Sequence, residues 1–168
     1  AASPRSPRRL AVGWGPAPAG LPGHPPCLLL LSSSGFAASA ARGRGCTRLS
    51  PGTGRRAEAE YVVDAELGRL LVKSRGKPGQ LKTSVCPISL IQDIYTIDDG
   101  EDCFRGEIME HLSAEEKARF FLIQYADGSP GAGYANLCLM ETSRSARVEL
   151  LQHLHDLVIH WSAPRPAP

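Results

Sequence analysis

The sequence predicts an α+β fold, in which a mostly antiparallel sheet is closed by one long C-terminal helix. Three observations lead to this prediction. Between residues 58 and 140, β-rich runs alternate with turns that contain Gly, Pro or acidic residues. Over residues 145–161, apolar residues recur with the i, i+3, i+4, i+7 spacing of an amphipathic helix. Residues 1–57, in contrast, show no periodic apolar pattern.

Residues 1–57 have the composition of a disordered leader. They contain eight arginines and no Asp or Glu, and runs such as AASPRSPRRLAVGWGPAPAGLPGHPP offer too little apolar surface to offset the entropy of ordering. The Arg- and Ser-rich, acid-free composition also fits a mitochondrial transit peptide, whereas the apolar run at 27–31 is too short for a secretory signal. We expect a leader at 1–57, a globular domain at 58–162 and a Pro-rich tail at 163–168.

The charge of the predicted domain limits its partners. From Glu58 onward, 17 acidic residues meet 11 of the 19 Lys and Arg residues of the chain. An acidic domain argues against nucleic acid as the main ligand. No stretch approaches the roughly 20 apolar residues of a membrane span. We therefore expect a cytoplasmic protein without a transmembrane segment, or a mitochondrial one if the leader is a transit peptide.

The strands follow from local patterns. EYVVDA and RLLVKS flank the turn ELG and predict a hairpin, and RGKPGQ then breaks the chain. KTSVCPISL and IQDIYTI supply further strands, and DDGED closes them as a solvated acidic turn. FFLIQYADG and YANLCLM predict a second hairpin, because GSPGAG separates them.

Two helices follow from capping and periodicity. Ser113 and Glu116 have the spacing of a capping box, which predicts a short helix at 114–119. The long helix at 145–161 has Thr142 or Ser143 as its N-cap. We expect its apolar face to consist of Val148, Leu150, Leu151, Leu154, Leu157, Val158 and Trp161.

No residue pattern predicts catalysis, a cofactor or a metal. The chain has no nucleophile–base signature, phosphate loop or dinucleotide fingerprint. Its five cysteines form no C-x-x-C pair, so we expect reduced, half-buried thiols and no zinc. His153 and Asp156 could touch on a helix but are typical of a polar helix surface, and DIYTIDDGED lacks the ligand spacing of a calcium loop.

From residue 61 to residue 161 the chain resembles the later two-thirds of a pleckstrin-homology-like domain. LLVKSRGKPGQLKTSVCPISLIQDIYTI resembles its middle strands, FFLIQYADG and GYANLCLMETS its final hairpin, and RVELLQHLHDLV its capping helix. Such domains usually have two strands before this segment, whereas only EYVVDA precedes it here. The resemblance therefore implies that the first strand is absent or comes from an unusual stretch. The tryptophan that is usual in the middle of the closing helix is also absent.

The resemblance implies a non-catalytic adaptor or scaffold module. Relatives that bind peptides use a sheet edge, so we expect a protein partner at an open edge or in the groove between sheet and helix. An alternative is an anionic phospholipid headgroup, such as a phosphoinositide, at the basic segment 73–82. Its cations would be Lys73, Arg75, Lys77 and Lys82. A further alternative is a small imported mitochondrial factor of unknown activity.

Overall fold

The structure, a computed structural model, describes residues 35–76, 80–128 and 133–162. The strands are β1 (Arg44–Leu49), β2 (Arg56–Asp64), β3 (Arg69–Arg75), β4 (Leu81–Pro87), β5 (Ile91–Thr96), β6 (Phe120–Ala126) and β7 (Tyr134–Met140). The α-helices are α1 (Gly35–Arg42), α2 (Gly106–Met109), α3 (Ala114–Lys117) and α4 (Arg144–Ser162). Single turns of 3₁₀-helix lie at Ile88–Leu90, Ile97–Asp99 and Glu101–Cys103.

The strands form one antiparallel sheet in the order β4-β3-β2-β1-β7-β6-β5. β4 and β5 lie at the two ends of this order and do not pair with each other, so the sheet is not closed. The long helix α4 packs across its inner face. The predicted α+β class, with a mostly antiparallel sheet and one long C-terminal helix, is confirmed.

The chain begins to fold before the predicted boundary at residue 57. Helix α1 packs against β2, and β1 lies in the middle of the sheet between β2 and β7. The interpretation of residues 35–57 as part of a disordered leader is therefore wrong. The strand that the family resemblance implied to be absent is supplied by β1. Residues 1–34 of the predicted leader and the predicted tail at 163–168 lie outside the described residues.

The main core lies on the inner face of the sheet. Alternate side chains of each strand point to this face, as strand geometry requires. These strand residues include Tyr61, Val63, Leu70, Val72, Phe121, Ile123, Leu137 and Leu139. Three leucines of α4, Leu150, Leu154 and Leu157, pack against them and are fully buried.

Helix α4 begins and ends close to the predicted limits. The Ser143 hydroxyl accepts a hydrogen bond from the Ala146 N–H at 3.1 Å, which caps the helix. At its other end, the Trp161 indole donates to the Ala65 carbonyl at 3.3 Å. The expectation for Val148 is wrong, because its side chain is 54% exposed and lies off the apolar face.

The connection between β5 and β6 builds a second core on the outer face of the sheet. It contains α2 and α3 and covers the side chains of β1, β6 and β7 that point away from α4. Its buried members are Leu49, Phe104, Ile108, Met109, Leu112, Phe120, Cys138 and Met140. The predicted capping box is confirmed: the Glu116 N–H donates to Ser113 Oγ, and the Ser113 N–H donates to Glu116 Oε2.

Carboxylates hold this connection in place, so the acidic turn is not simply solvated. Asp98 pairs with the buried Arg147 of α4 at 3.0 Å, and Glu101 pairs with Lys117 at 2.8 Å. Nearby, the Arg56 guanidinium donates to Glu116, and this contact lowers the pKa of Glu116 to about 2. These pairs join the connection to α4 and to β2.

Candidate functional site

The three described cations of the predicted segment do not lie on one face of the sheet. Lys73 and Arg75 lie on the outer face of β3, where Lys73 is opposite Glu60 and Arg75 is 4.0 Å from Glu58. Lys82 is opposite Ser74, so its side chain starts from the inner face. Lys77 lies outside the described residues. Strand alternation thus separates Lys82 from Lys73 and Arg75.

A different cation lies on the inner face beside Lys82. Arg48 of β1 donates a hydrogen bond to Ser84 Oγ at 2.8 Å and lies 3.5 Å from Ser74 Oγ. Its guanidinium therefore reaches across the inner face from β1 to β3 and β4. Strands β1, β3 and β6 all terminate at the same end of the sheet, and we call this end the mouth. Sequence reasoning missed Arg48 because it placed the residue in the leader.

The described thiols are not activated. Burial raises the pKa values of Cys46, Cys86 and Cys138 to about 12, so all three remain protonated near neutral pH. Burial also raises the pKa of Cys103. These four cysteines are free thiols, as the sequence predicted, and Cys27 lies outside the described residues.

The histidines of α4 face different surroundings. Burial against Phe36, with ring centroids 6.1 Å apart, lowers the pKa of His153. Asp156 lies 3.3 Å from His155 Nδ1 and accepts from Gln152 at 3.1 Å. Within the described ranges, no group of three or more His, Cys, Asp or Glu side chains could hold a metal ion. No helix in the same ranges is long and apolar enough to cross a membrane.

Within the described residues, no strand pairs with the outer edge of β4, so this edge presents a row of backbone groups. Gly76 N donates to Gln80 O and Ile88 N donates to Gly68 O, both at 2.8 Å, just beyond the two ends of the β3–β4 ladder. Hydrogen-bonded pairs alternate in an antiparallel ladder, so the even-numbered residues of β4 bond to β3. The N–H and C=O groups of Leu81, Thr83 and Val85 therefore point away from the sheet.

The side chains along this edge are unusually apolar for an exposed strand. Leu81 is 65% exposed and Val85 is 45% exposed, and both lie on the outer face. Val85 continues an outer-face row that runs through Leu71 of β3 to Val62 of β2. Natural proteins usually protect such edges with charges, bulges or a covering element. Here Lys82 is the one charged residue of β4.

The edge at β5 is less regular. The register between β5 and β6 shifts between Ile91 and Asp93, which marks a bulge or irregularity. At the end of β5, the Thr96 N–H already donates to the Asp99 carboxylate at 2.7 Å. Of the two edges, β4 offers the longer uninterrupted row of backbone donors and acceptors.

Comparison with known proteins identifies similar folds but assigns the chain to no protein family. No protein-family model matches the chain, and no curated protein sequence matches it. The fold is similar to that of PLC21 from L. pealei, with 11% identity and a TM-score of 0.55 over 73% of this chain and 16% of that one. This chain therefore spans about a sixth of the length of PLC21.

Two structures from Toxoplasma gondii are similar over most of their own length. Inner membrane complex sub-compartment protein 1 gives 11% identity and a TM-score of 0.54, over 85% of this chain and 99% of that one. Inner membrane complex sub-compartment protein 3 gives 11% identity and a TM-score of 0.51, over 76% and 83%. At these identities the likeness concerns the fold alone. The seven antiparallel strands and the closing helix of the described residues have a pleckstrin-homology-like fold.

Proposed function

We propose that this chain is a non-catalytic adaptor or scaffold module that binds a protein partner as an added strand along β4. The observation that carries the proposal is the outward row of N–H and C=O groups at Leu81, Thr83 and Val85. An extended peptide satisfies such groups by main-chain hydrogen bonds, and neighbouring side chains supply specificity. The described cysteines are free thiols, as is typical of a reducing compartment, and this supports a cytoplasmic location for the proposed module.

The exposed apolar side chains give the proposed partner its chemistry. A strand added beside β4 would cover Leu81 and Val85 and would extend the outer-face row that includes Leu71. The partner segment should therefore alternate, with apolar or β-branched residues on the outer face. The β5 edge, whose register shifts between Ile91 and Asp93, suits such a ladder less well.

A proline at position 83 tests this proposal. The Thr83 N–H points outward, so Thr83→Pro removes one donor to the partner and keeps the β3–β4 hydrogen bonds. We expect peptides selected from a displayed library on the wild-type chain to bind this variant at least about tenfold more weakly. Binding is measured by titration calorimetry or fluorescence anisotropy.

Thr83→Val is the matched control, because it changes the same side chain and keeps the N–H group. It should bind the selected peptides within about twofold of the wild-type chain. Both variants should show the same cooperative thermal unfolding, which excludes a general loss of structure. Equal binding by Thr83→Pro and the wild-type chain would place the partner elsewhere and contradict the proposal.

A phosphate-bearing ligand, such as a phosphoinositide headgroup, is the second candidate. The inward guanidinium of Arg48, beside Ser84 and Lys82 at the mouth, favours it. Charge-assisted hydrogen bonds from Arg and Lys are the usual means of holding phosphate. Of the four cations in the basic segment, Lys82 shares this face with Arg48, whereas Lys73 and Arg75 lie on the opposite face.

Two single charge reversals separate this candidate from general attraction to anionic lipid. If the mouth holds the headgroup, Lys82→Glu should remove most binding to vesicles that contain phosphoinositide. Lys73→Glu carries the same charge change on the outer face and should keep it. Sedimentation with vesicles at two salt concentrations measures the difference. Equal losses would indicate a diffuse electrostatic attraction, and no sedimentation of the wild-type chain would remove the lipid candidate.

A further inference from the structure

The first five residues of β4, 81–85, are arranged symmetrically about Thr83. Leu81 and Val85 are apolar and exposed, and they lie two residues to either side of Thr83 on the same face. Lys82 and Ser84 are polar and lie one residue to either side, on the other face. Such a strand can pair with a copy of itself, because an antiparallel two-fold pairing places residues equidistant from the centre opposite each other.

We propose that the strand added to β4 is β4 of a second copy, paired antiparallel about a two-fold axis at Thr83. This inference rests on the proposed function and names its partner. The outward groups of Leu81 would bond to those of Val85 in the second copy, and the two Thr83 residues would bond to each other. All the outward N–H and C=O groups between 81 and 85 would then be satisfied.

The side chains favour this register. The apolar row Val62, Leu71, Val85 would continue into Leu81 of the second copy, so this side chain, which is 65% exposed, would become covered. Lys82 would lie opposite Ser84 and not opposite another cation. Cross-strand apolar pairs and the absence of like charges directly opposite both stabilise an antiparallel ladder.

Other positions of the two-fold axis along β4 are less favourable. A two-fold axis at Lys82 would place the two Lys82 side chains directly opposite each other. An axis at Ser84 would place Leu81 opposite Pro87, which has no N–H to donate. An axis at Val85 would leave Leu81 beyond the paired region. The axis at Thr83 alone among these pairs Leu81 with Val85.

Oligomeric state and register can be measured on the full chain. Sedimentation equilibrium should show a concentration-dependent dimer for the wild-type chain and a dimer weakened at least about tenfold for Thr83→Pro, with Thr83→Val unchanged. Hydrogen-bonded antiparallel partners have Cα atoms about 5.5 Å apart, which a disulfide can bridge. Under mild oxidation, Thr83→Cys should therefore form a covalent dimer by itself.

The register has a more specific signature. Leu81→Cys alone should not be cross-linked beyond the wild-type background, whereas a mixture of Leu81→Cys and Val85→Cys should give the mixed dimer. The wild-type chain under the same oxidant controls for its native cysteines.

If the wild-type chain is monomeric and the Thr83→Cys variant forms no cross-link, the second copy is not the partner and the inference is overturned. If selected peptides still require the Thr83 N–H in that case, the proposed function stands. A dimer that Thr83→Pro does not weaken, or cross-linking of Leu81→Cys with itself, would also overturn the inference, because the copies would then meet by another surface or register. If selected peptides are also insensitive to Thr83→Pro, the proposed function fails as well.

Discussion

A chain that begins at Glu58 should not fold cooperatively, whereas a chain that begins at Gly35 should. The first corresponds to the domain boundary that composition predicts, and it lacks β1. That strand joins β2 to β7, so its removal separates the sheet into β4-β3-β2 and β7-β6-β5. It also removes Leu49 from the second core and α1 from the first. We expect the loss to exceed the roughly 5–15 kcal/mol by which domains are stable.

Tryptophan fluorescence provides the measurement. Trp161 is the one tryptophan in both shortened chains, because the other, Trp14, precedes residue 35. In the folded state its ring packs so closely against Gly68 that a Cβ there would lie 2.6 Å from it. Denaturation of the longer chain should give a sigmoidal change in emission, and that of the shorter chain a shallow drift. A sigmoidal transition of equal midpoint in the shorter chain would show that β1 is dispensable.

Strand β1 could not be predicted because its inner face does not look like the inner face of a strand. In RGCTRL the inward positions are Arg44, Cys46 and Arg48, so the apolar alternation that marks a half-buried strand is absent. The guanidinium groups of Arg44 and Arg48 both contact residues in other elements of the fold. Arg44 lies 4.6 Å from the centre of the Phe36 ring, and Arg48 bonds to Ser84. A local pattern carries no information about such partners.

The strands from β2 onward and the helices α3 and α4 could be predicted because their patterns agree with their surroundings, whereas α2 was not predicted. β2 and β3 alternate between a buried and a more exposed face. β6 and β7 are rich in apolar residues on both faces, as two cores require, and Ser113 with Glu116 caps α3. The candidate site was harder to predict. Lys73, Arg75 and Lys82 are close in sequence, yet the two-residue period of the strands places Lys82 on the face opposite to the other two. Proximity along a hairpin therefore did not imply a shared site.

An open sheet edge was expected, but no strand was assigned to it. The family resemblance implied that the first strand is absent or comes from an unusual stretch. β1 supplies that strand in the middle of the sheet, and in the described part of the chain β4 forms a free edge. Which strand lies at an edge depends on pairing between distant segments, which the local pattern of either strand does not determine.

Truncation of Leu154 should destabilise the domain by about 2 to 5 kcal/mol. Its side chain is fully buried at the centre of α4, between Leu150 and Leu157, so Leu154→Ala leaves a cavity against the sheet. Val148→Ala is the matched control, because it removes a branched side chain from the same helix at a position that is 54% exposed. The control should change the free energy of unfolding by no more than about 0.5 kcal/mol. Urea denaturation followed by circular dichroism measures both values. Equal losses in the two variants would mean that α4 packs against the sheet with a different face. The comparison tests this face directly, because the periodicity of 145–161 counts Val148 among the apolar positions, whereas Val148 is exposed in the folded chain.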